Sequence, residues 1–384
     1  MKPIRLAVLG STGSIGRQTL DVVRSLPGRY NVIALSAGGN VTLLEEQVHE
    51  FRPRFVCAGR EADYLMSRLG KGGQAARWAE MEEMAGHPDV DLVVIATVGS
   101  AGLGPTLAAV RAGKAVALAN KEVLVMGGHI IMAEARRSGA ELRPIDSEHS
   151  AIWQCLWGED RDSVERIIIT ASGGPFRDTP LQELSRVTAQ EALRHPNWQM
   201  GQKITVDSAT LLNKGLECIE ARWLFDVPLE RIDVILHRES IVHSLVEFRD
   251  GSLKAQLGLP DMRLPIQCAL TYPERLPGAI VPRLDLKLVG ALSFGMPDTK
   301  QYPCLGLALE AGRRGGTCPA VLAAADEIAV QHFLSGHIRF VDIAHSVSDA
   351  LNSHNQLSNP SLEEVLHADS WARSYTEDWV RAKA

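Results

Sequence analysis

Cysteine is scarce and scattered in this chain of 384 residues: six occur, at 57, 155, 218, 268, 304 and 318, with no C-x-x-C pair and no grouping with histidine. That spacing argues against a zinc site and against a disulfide framework, and the expectation is buried thiols in a reducing compartment. Long apolar runs are missing too, since no stretch approaches the roughly 18 apolar residues needed to cross a bilayer. Behind Met1-Lys2-Pro3 comes only the short run Ile4 to Leu9. It is too brief for the apolar core of a secretion signal, so a cytoplasmic protein with no membrane partner is expected. Nor is positive charge in surplus: 40 Lys and Arg against 46 Asp and Glu leave a net charge of -6. Nothing there attracts nucleic acid in general, and any anionic ligand has to be held by local groups. There is no internal repeat and no low-complexity tract.

What is present is an ordinary globular composition, 45% hydrophobic with 33 Gly and 19 Pro. At about 150 residues per domain the length suggests two or three domains, each able to bury a core. Apolar runs at 4–9, 31–36, 54–58, 91–96, 115–118 and 141–145 alternate with helical patterns, which implies a parallel sheet with crossover helices. The runs Leu92 to Ala96 and Ala115 to Leu118 lack a period of two, as expected for strands covered on both faces. Residues between 60 and 90 are weakly patterned. Beyond about 146 the pattern turns to loops, one long helix and antiparallel strands. Ile241–Phe248 and Leu253–Leu259 flank Arg249-Asp250-Gly251-Ser252, a strong hairpin signal. Prolines 273, 277, 282, 297 and 303 mark a surface linker. From Leu305 onward the chain reads as helical, with joints near Gly315-Gly316, Ser335-Gly336 and Asn359-Pro360.

Gly10-Ser11-Thr12-Gly13-Ser14-Ile15-Gly16 stands between the first strand and a helix starting near Ser14. Glycine there lets the backbone turn tightly and approach a pyrophosphate, whose charge meets the amides of the helix N-terminus. The spacing is one residue longer than the NAD fingerprint, and the glycines could instead serve only the turn and close packing. The second strand ends in Leu35-Ser36-Ala37-Gly38-Gly39-Asn40 without an acid. Without that carboxylate nothing repels a 2′-phosphate, so NADP is favoured over NAD.

Asp146-Ser147-Glu148 follows the sixth strand, at the carboxyl end where open α/β sheets bind ligands. In an extended chain both carboxylates point to one side, suiting a hard divalent ion; alternatively Asp146 or Ser147 caps a helix beginning near His149. Thr170-Ala171-Ser172-Gly173-Gly174 is either an anion cradle or an ordinary turn. Arg194 to Gly201, with Trp198 and Met200 beside Pro196 and Gly201, suits a mobile lid or a packed corner. A helix opening near Asp207 and running to about Phe225 places Leu212, Leu216, Ile219 and Trp223 on one side. Asn213, Lys214, Glu217 and Glu220 lie on the opposite arc, facing either water or a site. Ser208 falls off that arc and would join a ligand from the helix N-terminus.

Taken together, GSTGSIG at 10–16, LANKE at 118–122, DSEHSA at 146–151, TASGGPF at 170–176, HPNW at 195–198 and VDSATLLNKGLE at 206–217 resemble, in order, the motifs of the 1-deoxy-D-xylulose 5-phosphate reductoisomerase family. The resemblance runs from residue 4 through the helical C-terminus. It implies an α/β chain: an N-terminal Rossmann-type NADP-binding domain (1–147), a central α+β catalytic domain with metal and substrate site and flexible lid (148–272), a linker (273–303), and a C-terminal helical bundle domain (304–384). It implies an oxidoreductase that rearranges and reduces 1-deoxy-D-xylulose 5-phosphate to 2-C-methyl-D-erythritol 4-phosphate for isoprenoid precursors, using NADPH and Mg²⁺ or Mn²⁺, with Co²⁺ as a further option. A homodimer is implied as well.

By the same resemblance, Thr12, Gly13, Ser14, Ile15, Gly38, Asn40, Asn120, Glu122 and Gly201 contact NADPH. Asp146, Glu148 and Glu217 hold the metal. Lys121, Ser147, Glu148, Ser172, His195, Trp198, Ser208, Asn213, Lys214 and Glu217 face the substrate, with Ser172, Ser208, Asn213 and Lys214 at its phosphate. Lys121, Glu148 and His195 are the implied catalytic groups. Two positions depart from the family pattern: Gly39 stands where many relatives carry a basic residue, and Val123 where a serine is common. Two rivals are a different NADP-dependent dehydrogenase of the same domain order and a non-catalytic NADPH sensor; neither needs all three carboxylates.

Overall fold

Every apolar run expected as a strand in the first 145 residues lies in one sheet of a computed structural model, which describes residues 2–59, 62–69, 76–198, 200–276 and 280–383. The strands are β1 (Ile4–Leu9), β2 (Tyr30–Ala37), β3 (Phe55–Ala58), β4 (Arg77–Trp78), β5 (Leu92–Ile95), β6 (Ala115–Leu118) and β7 (Leu142–Pro144). β4, two residues long, falls in the weakly patterned stretch and was not anticipated. Pro277 of the expected linker and Gln199 of the expected lid lie outside the described residues.

The chain divides into two compact units. The first comprises Met1–Val123, His129–Ser150 and Asp261–Pro282. Its sheet runs β4-β3-β2-β1-β5-β6-β7, with every neighbouring pair parallel. The chain builds outward from β1 in one direction, then returns to β5 on β1's other side. This reversal makes the carboxyl ends of β1 and β5 the point where such sheets open a ligand crevice. Leu6 to Leu9 and Leu92 to Ile95 are buried throughout, which explains their unbroken apolar runs. Residues 261–272, expected in the central domain, lie in this unit instead. The helix Arg263–Thr271 packs on the helix Ser14–Ser25 and sinks Ile266, Ala269 and Leu270 into the same core as Leu6 and Leu20.

The second unit comprises Leu124–Gly128, Ala151–Pro260 and Arg283–Ala384. Its sheet runs β11 (Leu253–Leu257), β10 (Val242–Phe248), β8 (Val164–Ala171), β9 (Ile232–Leu236). β10 and β11 form the expected antiparallel hairpin, whose turn uses Gly251 at φ 84°. The helices Pro303–Arg314, Cys318–Leu334, Phe340–Ser353 and Leu362–Lys383 follow, and belong to the same unit as the sheet. Cys318–Leu334 is apolar nearly all round because its neighbours enclose it.

The single helix expected from Asp207 to Phe225 is two. Gln202–Thr210 ends at Leu211, which sits at φ 56°, and Leu212–Phe225 begins beyond it. No glycine or proline announces the break; Thr210 Oγ1 sustains it by accepting from Leu212 N at 3.2 Å. All six cysteines are buried and free of disulfides. Among the described residues, no helix is long and apolar enough to cross a membrane.

Candidate active site

In the first unit the expected cofactor residues gather along one edge of the sheet, because each follows the carboxyl end of a strand. Gly10 follows β1 at φ 90°, and a Cβ there would stand 2.4 Å from Ala96 O, just beyond β5. A Cβ on Gly16 would meet Gly10 O at 2.2 Å, so helix and loop touch backbone to backbone. The loop is pinned from β2: Gly10 N and Ser11 N donate to Ser36 O, and Ser11 Oγ donates to Gln47 Oε1 at 2.6 Å. Thr12 and Gly13 lead into the helix Ser14–Ser25, whose N-cap Gly13 offers no side-chain cap and whose first turn holds no acid. Those amides are therefore left to an external anion. Gly16→Ala is expected to push the glycine loop off the helix, because its Cβ would meet loop backbone at 2.2 Å, and so to weaken dinucleotide binding at least about tenfold; equilibrium fluorescence titration of NADPH checks it.

Gly38 and Asn40 follow β2. Asn40 Oδ1 accepts from Leu43 N at 3.1 Å and caps the next helix, a structural task separate from the cofactor contact expected of it. Asn120 follows β6 and is locked in place, donating to Thr97 Oγ1 and Gly99 O and accepting from Val123 N. Glu122 opens the helix Glu122–Ser138. Lys121 is buried, and its Nζ pairs with Asp146 Oδ2 at 2.9 Å. The chain does not stay extended after β7: the helix Ser147–Cys155 starts at once, placing Glu148 in its first turn. Carboxylate oxygens of Asp146 and Glu148 nonetheless come within 4.8 Å of each other, close enough to share one cation, and Ser147 Oγ donates to Glu148 Oε2 at 2.6 Å.

In the second unit the groups expected at the substrate's phosphate are set by a close approach of backbones. Gly173 and Gly174 both have positive φ, and a Cβ on Gly174 would lie 2.7 Å from Ser208 O. The Ser172 loop thus rests on the last turn of Gln202–Thr210. Ser208 lies in that last turn and not at the N-terminus of its own helix, and the next helix N-terminus comes at Leu212. Tyr302 fastens the loop from below, its hydroxyl donating to Gly173 O at 3.0 Å. The polar arc of Leu212–Phe225 does not face water: Asn213, Lys214, Glu217 and Glu220 are all buried. Lys214 Nζ pairs with Glu217 Oε2 at 2.7 Å, and Asn213 Nδ2 donates to Glu217 Oε1. Gly201 is the N-cap of Gln202–Thr210. Gly201 and Glu217 therefore belong to a different unit from the groups with which the family pattern associates them.

His195 has its tautomer assigned by its neighbours. Nδ1 accepts from the backbone amides of Asn197 at 3.2 Å and Trp198 at 2.9 Å. The proton of the neutral ring therefore sits on Nε2, 2.9 Å from Ser172 Oγ. Burial first, then the cations Lys214 and Arg177, push the imidazole down to about 4. It is a neutral donor at physiological pH. Its contribution to folding stability is lost as pH falls from about 6.5, where an unfolded imidazole takes up a proton that the folded one refuses. Between about pH 8 and pH 5 its NMR ring signals are expected to stay constant; a midpoint near the ordinary value would contradict this geometry. Trp198 is half-buried, its ring 6.1 Å from that of His243, and Asn197 ties the segment to Arg238 O and Ser240 Oγ. In the described conformation, His195 to Trp198 is an anchored corner.

Sequence reasoning missed Ser36, Gln47 and Thr97, which hold the cofactor-side residues, and Arg177, whose Nη1 donates to Ser172 O at 3.0 Å. The serine at the end of β2 was the one available signal, since a buried hydroxyl there needs a partner across the loop.

A relative from Pelotomaculum thermopropionicum, a 1-deoxy-D-xylulose 5-phosphate reductoisomerase, is 54% identical over 374 residues, covering 96% of each chain. The chain belongs to the 1-deoxy-D-xylulose 5-phosphate reductoisomerase family. Three models of reductoisomerase domains match: the reductoisomerase model at residues 6–128 and C-terminal domain models at 142–225 and 257–375. A reductoisomerase from Geobacillus sp. (strain WCH70) is 53% identical, covering 96% of this chain and 98% of its own. A solved reductoisomerase in complex with NADPH, fosmidomycin and magnesium is 41% identical, covers 98% of both chains and superposes with a TM-score of 0.94. That of Zymomonas mobilis in complex with NADPH is 43% identical, covers 98% and 99%, and has a TM-score of 0.91.

Proposed function

We propose that this chain catalyses the NADPH- and divalent-metal-dependent rearrangement and reduction of 1-deoxy-D-xylulose 5-phosphate to 2-C-methyl-D-erythritol 4-phosphate, a step toward isoprenoid precursors. The observation that carries the reading is the shared sheet edge: an uncapped glycine-loop helix, Asn120-Lys121-Glu122 and Asp146-Ser147-Glu148 all follow strand ends of one parallel sheet. The residues fit the ligands that relatives hold. Free amides behind Gly13 suit a pyrophosphate, and the neighbouring carboxylates of Asp146 and Glu148 suit a hard cation.

When bound, Mg²⁺ or Mn²⁺ supplies Lewis acidity toward the substrate's ketone and adjacent hydroxyl, and NADPH supplies hydride. Asp146, Glu148 and Glu217 would hold the metal, with Thr12 to Ile15, Gly38, Asn40, Asn120, Glu122 and Gly201 on the dinucleotide. Lys121, paired with Asp146, would offer its proton to a developing alkoxide, and Glu148 would shuttle protons with Ser147. Ser172, Ser208, Asn213 and Lys214 would hold the phosphate, which orients the reacting end. His195, a neutral donor through Nε2, would position Ser172 or a substrate oxygen. The first 147 residues, joined by 261–272, would act as the nucleotide domain, residues 148–260 as the catalytic domain, 273–303 as linker and 304–384 as a helical cap. Trp198 would cover the ligand when the segment through Gly201 closes.

Loss of NADPH absorbance on adding deoxyxylulose phosphate, with and without Mg²⁺, tests the reading. Turnover only when all three are present is expected. Oxidation without the sugar phosphate, or none with it, would favour a dehydrogenase of other specificity or a sensor.

A cytoplasmic homodimer completes the proposal. Leu286, Leu288, Phe294 and Met296 expose apolar side chains within one short segment, Leu288 to 86% and Met296 to 79%, the kind of surface that a second subunit covers. Sedimentation at twice the chain mass of 41.8 kDa is expected, and a monomer at micromolar concentration would remove that part of the proposal.

A further inference from the structure

The C-terminal helices carry a pair of imidazoles that the reductoisomerase chemistry does not use. His332 lies in the last turn of Cys318–Leu334, and His337 follows it across a turn made by Ser335 and Gly336, the glycine at φ 77°. The backbone fixes the pair, with His337 N donating to His332 O at 2.9 Å. Their Nδ1 atoms share a hydrogen bond at 3.1 Å. On its other side, His332 Nε2 lies 2.9 Å from Oε2 of Glu377, in the helix Leu362–Lys383.

An ionised carboxylate only accepts hydrogen bonds, so the His332 nitrogen facing Glu377 carries the proton. In the neutral ring, Nδ1 then accepts the hydrogen bond from His337 Nδ1, and an ion binding between them displaces that proton, which the His337 ring can carry on Nε2 instead. A carboxylate behind an imidazole in this way fixes the tautomer and ring orientation of a metal-binding histidine. The spacing agrees. Two nitrogens each about 2.0–2.1 Å from one ion lie about 2.9 Å apart at a right angle and about 3.4 Å apart at a tetrahedral angle. The observed separation of 3.1 Å falls between these values. His332 keeps 20% of its side-chain exposure and His337 is exposed, so an ion can reach both and retain water at its remaining positions.

We propose that His332 and His337, oriented by Glu377, form a second metal site: a solvent-open two-nitrogen chelate for a borderline divalent ion such as Ni²⁺, Zn²⁺ or Cu²⁺. Imidazole pairs select these ions over Mg²⁺, which prefers oxygen. The site is thus chemically separate from the carboxylates proposed for catalysis, and an ion there would tie the end of one helix, through Glu377, to the last helix of the chain.

The probe is Ni²⁺, titrated calorimetrically into full-length protein stripped with chelator and then held in excess Mg²⁺. One Ni²⁺ per chain is expected at this site in the wild type. His337→Ala should weaken that binding at least about tenfold, and Glu377→Gln about tenfold to a hundredfold, both with Mg²⁺-supported turnover unchanged. His345→Ala, removing another exposed histidine of the same unit, should bind as wild type. His337→Asn repeats the comparison if the alanine variant melts early. Identical isotherms for wild type and the His337 variants, or an equal loss in His345→Ala, would overturn the proposal.

Discussion

Glu217→Gln is expected to lower Mg²⁺-supported turnover by roughly three decades while NADPH affinity stays close to that of the wild type. A metal acting as Lewis acid contributes several kcal/mol to the transition state, and each decade in rate corresponds to about 1.4 kcal/mol. Removing one of three anionic ligands should forfeit most of that. Glu217 is 1% exposed and holds both Asn213 and Lys214, so the variant also takes a carboxylate away from a buried cation. Breaking such a buried pair can cost about 3–5 kcal/mol of stability. The melting temperature therefore has to accompany the kinetics, and Glu148→Gln tests the same proposed ligand set. Wild-type turnover in Glu217→Gln with Mg²⁺ would remove Glu217 from the metal. A parallel fall in NADPH binding would point to lost folding instead.

Lys214→Met keeps the length of the side chain and deletes its charge. Its KM for the phosphorylated substrate should rise about tenfold to a hundredfold, since a charge-assisted hydrogen bond is worth about 1.5–3 kcal/mol. A substrate analogue without the phosphate should bind wild type and variant alike. The same substitution carries a second readout. Lys214 is the larger of the two charges that depress the His195 imidazole, although burial matters more. The His195 midpoint should therefore rise from about 4 toward the ordinary value without reaching it. An unchanged KM would take Lys214 out of the phosphate contacts, and an unchanged imidazole would mean that the two side chains are not electrostatically coupled.

The nucleotide-binding half was legible because its signals are local. Each central strand is a short, unbroken apolar run, and the glycine loop follows the first of them, so sheet, crossover helices and ligand edge could be placed from periodicity and spacing. The second half was legible in its hairpin, where Asp250-Gly251 has few conformations open to it. It was less so at Asp207 to Phe225, where the helix breaks at Leu211. A leucine at positive φ is unfavourable by roughly 1–2 kcal/mol, and only the packing and hydrogen bonds around it hold it there. Likewise the arc of Asn213, Lys214, Glu217 and Glu220 has the composition of a solvated helix face. Its burial comes from surrounding elements that no window of sequence contains.

By itself, the sequence determined the parallel sheet, the glycine loop and the absence of an acid after the second strand, which follow from backbone sterics, from the two periodicities of strand and helix, and from side-chain chemistry. Its resemblance to the family motifs named the groups that could hold phosphate or metal. Tertiary structure alone decided which of those groups are buried and in what state. It made His195 a neutral Nε2 donor, because two amides point at its Nδ1. It drew residues 261–272 into the first unit, because Ile266 and Leu270 complete that core. It also hydrogen-bonded the imidazole of His332, at the end of one C-terminal helix, to that of His337 in the following turn. Burial and hydrogen-bond direction depend on neighbours distant along the chain, and those meet only when the chain has folded.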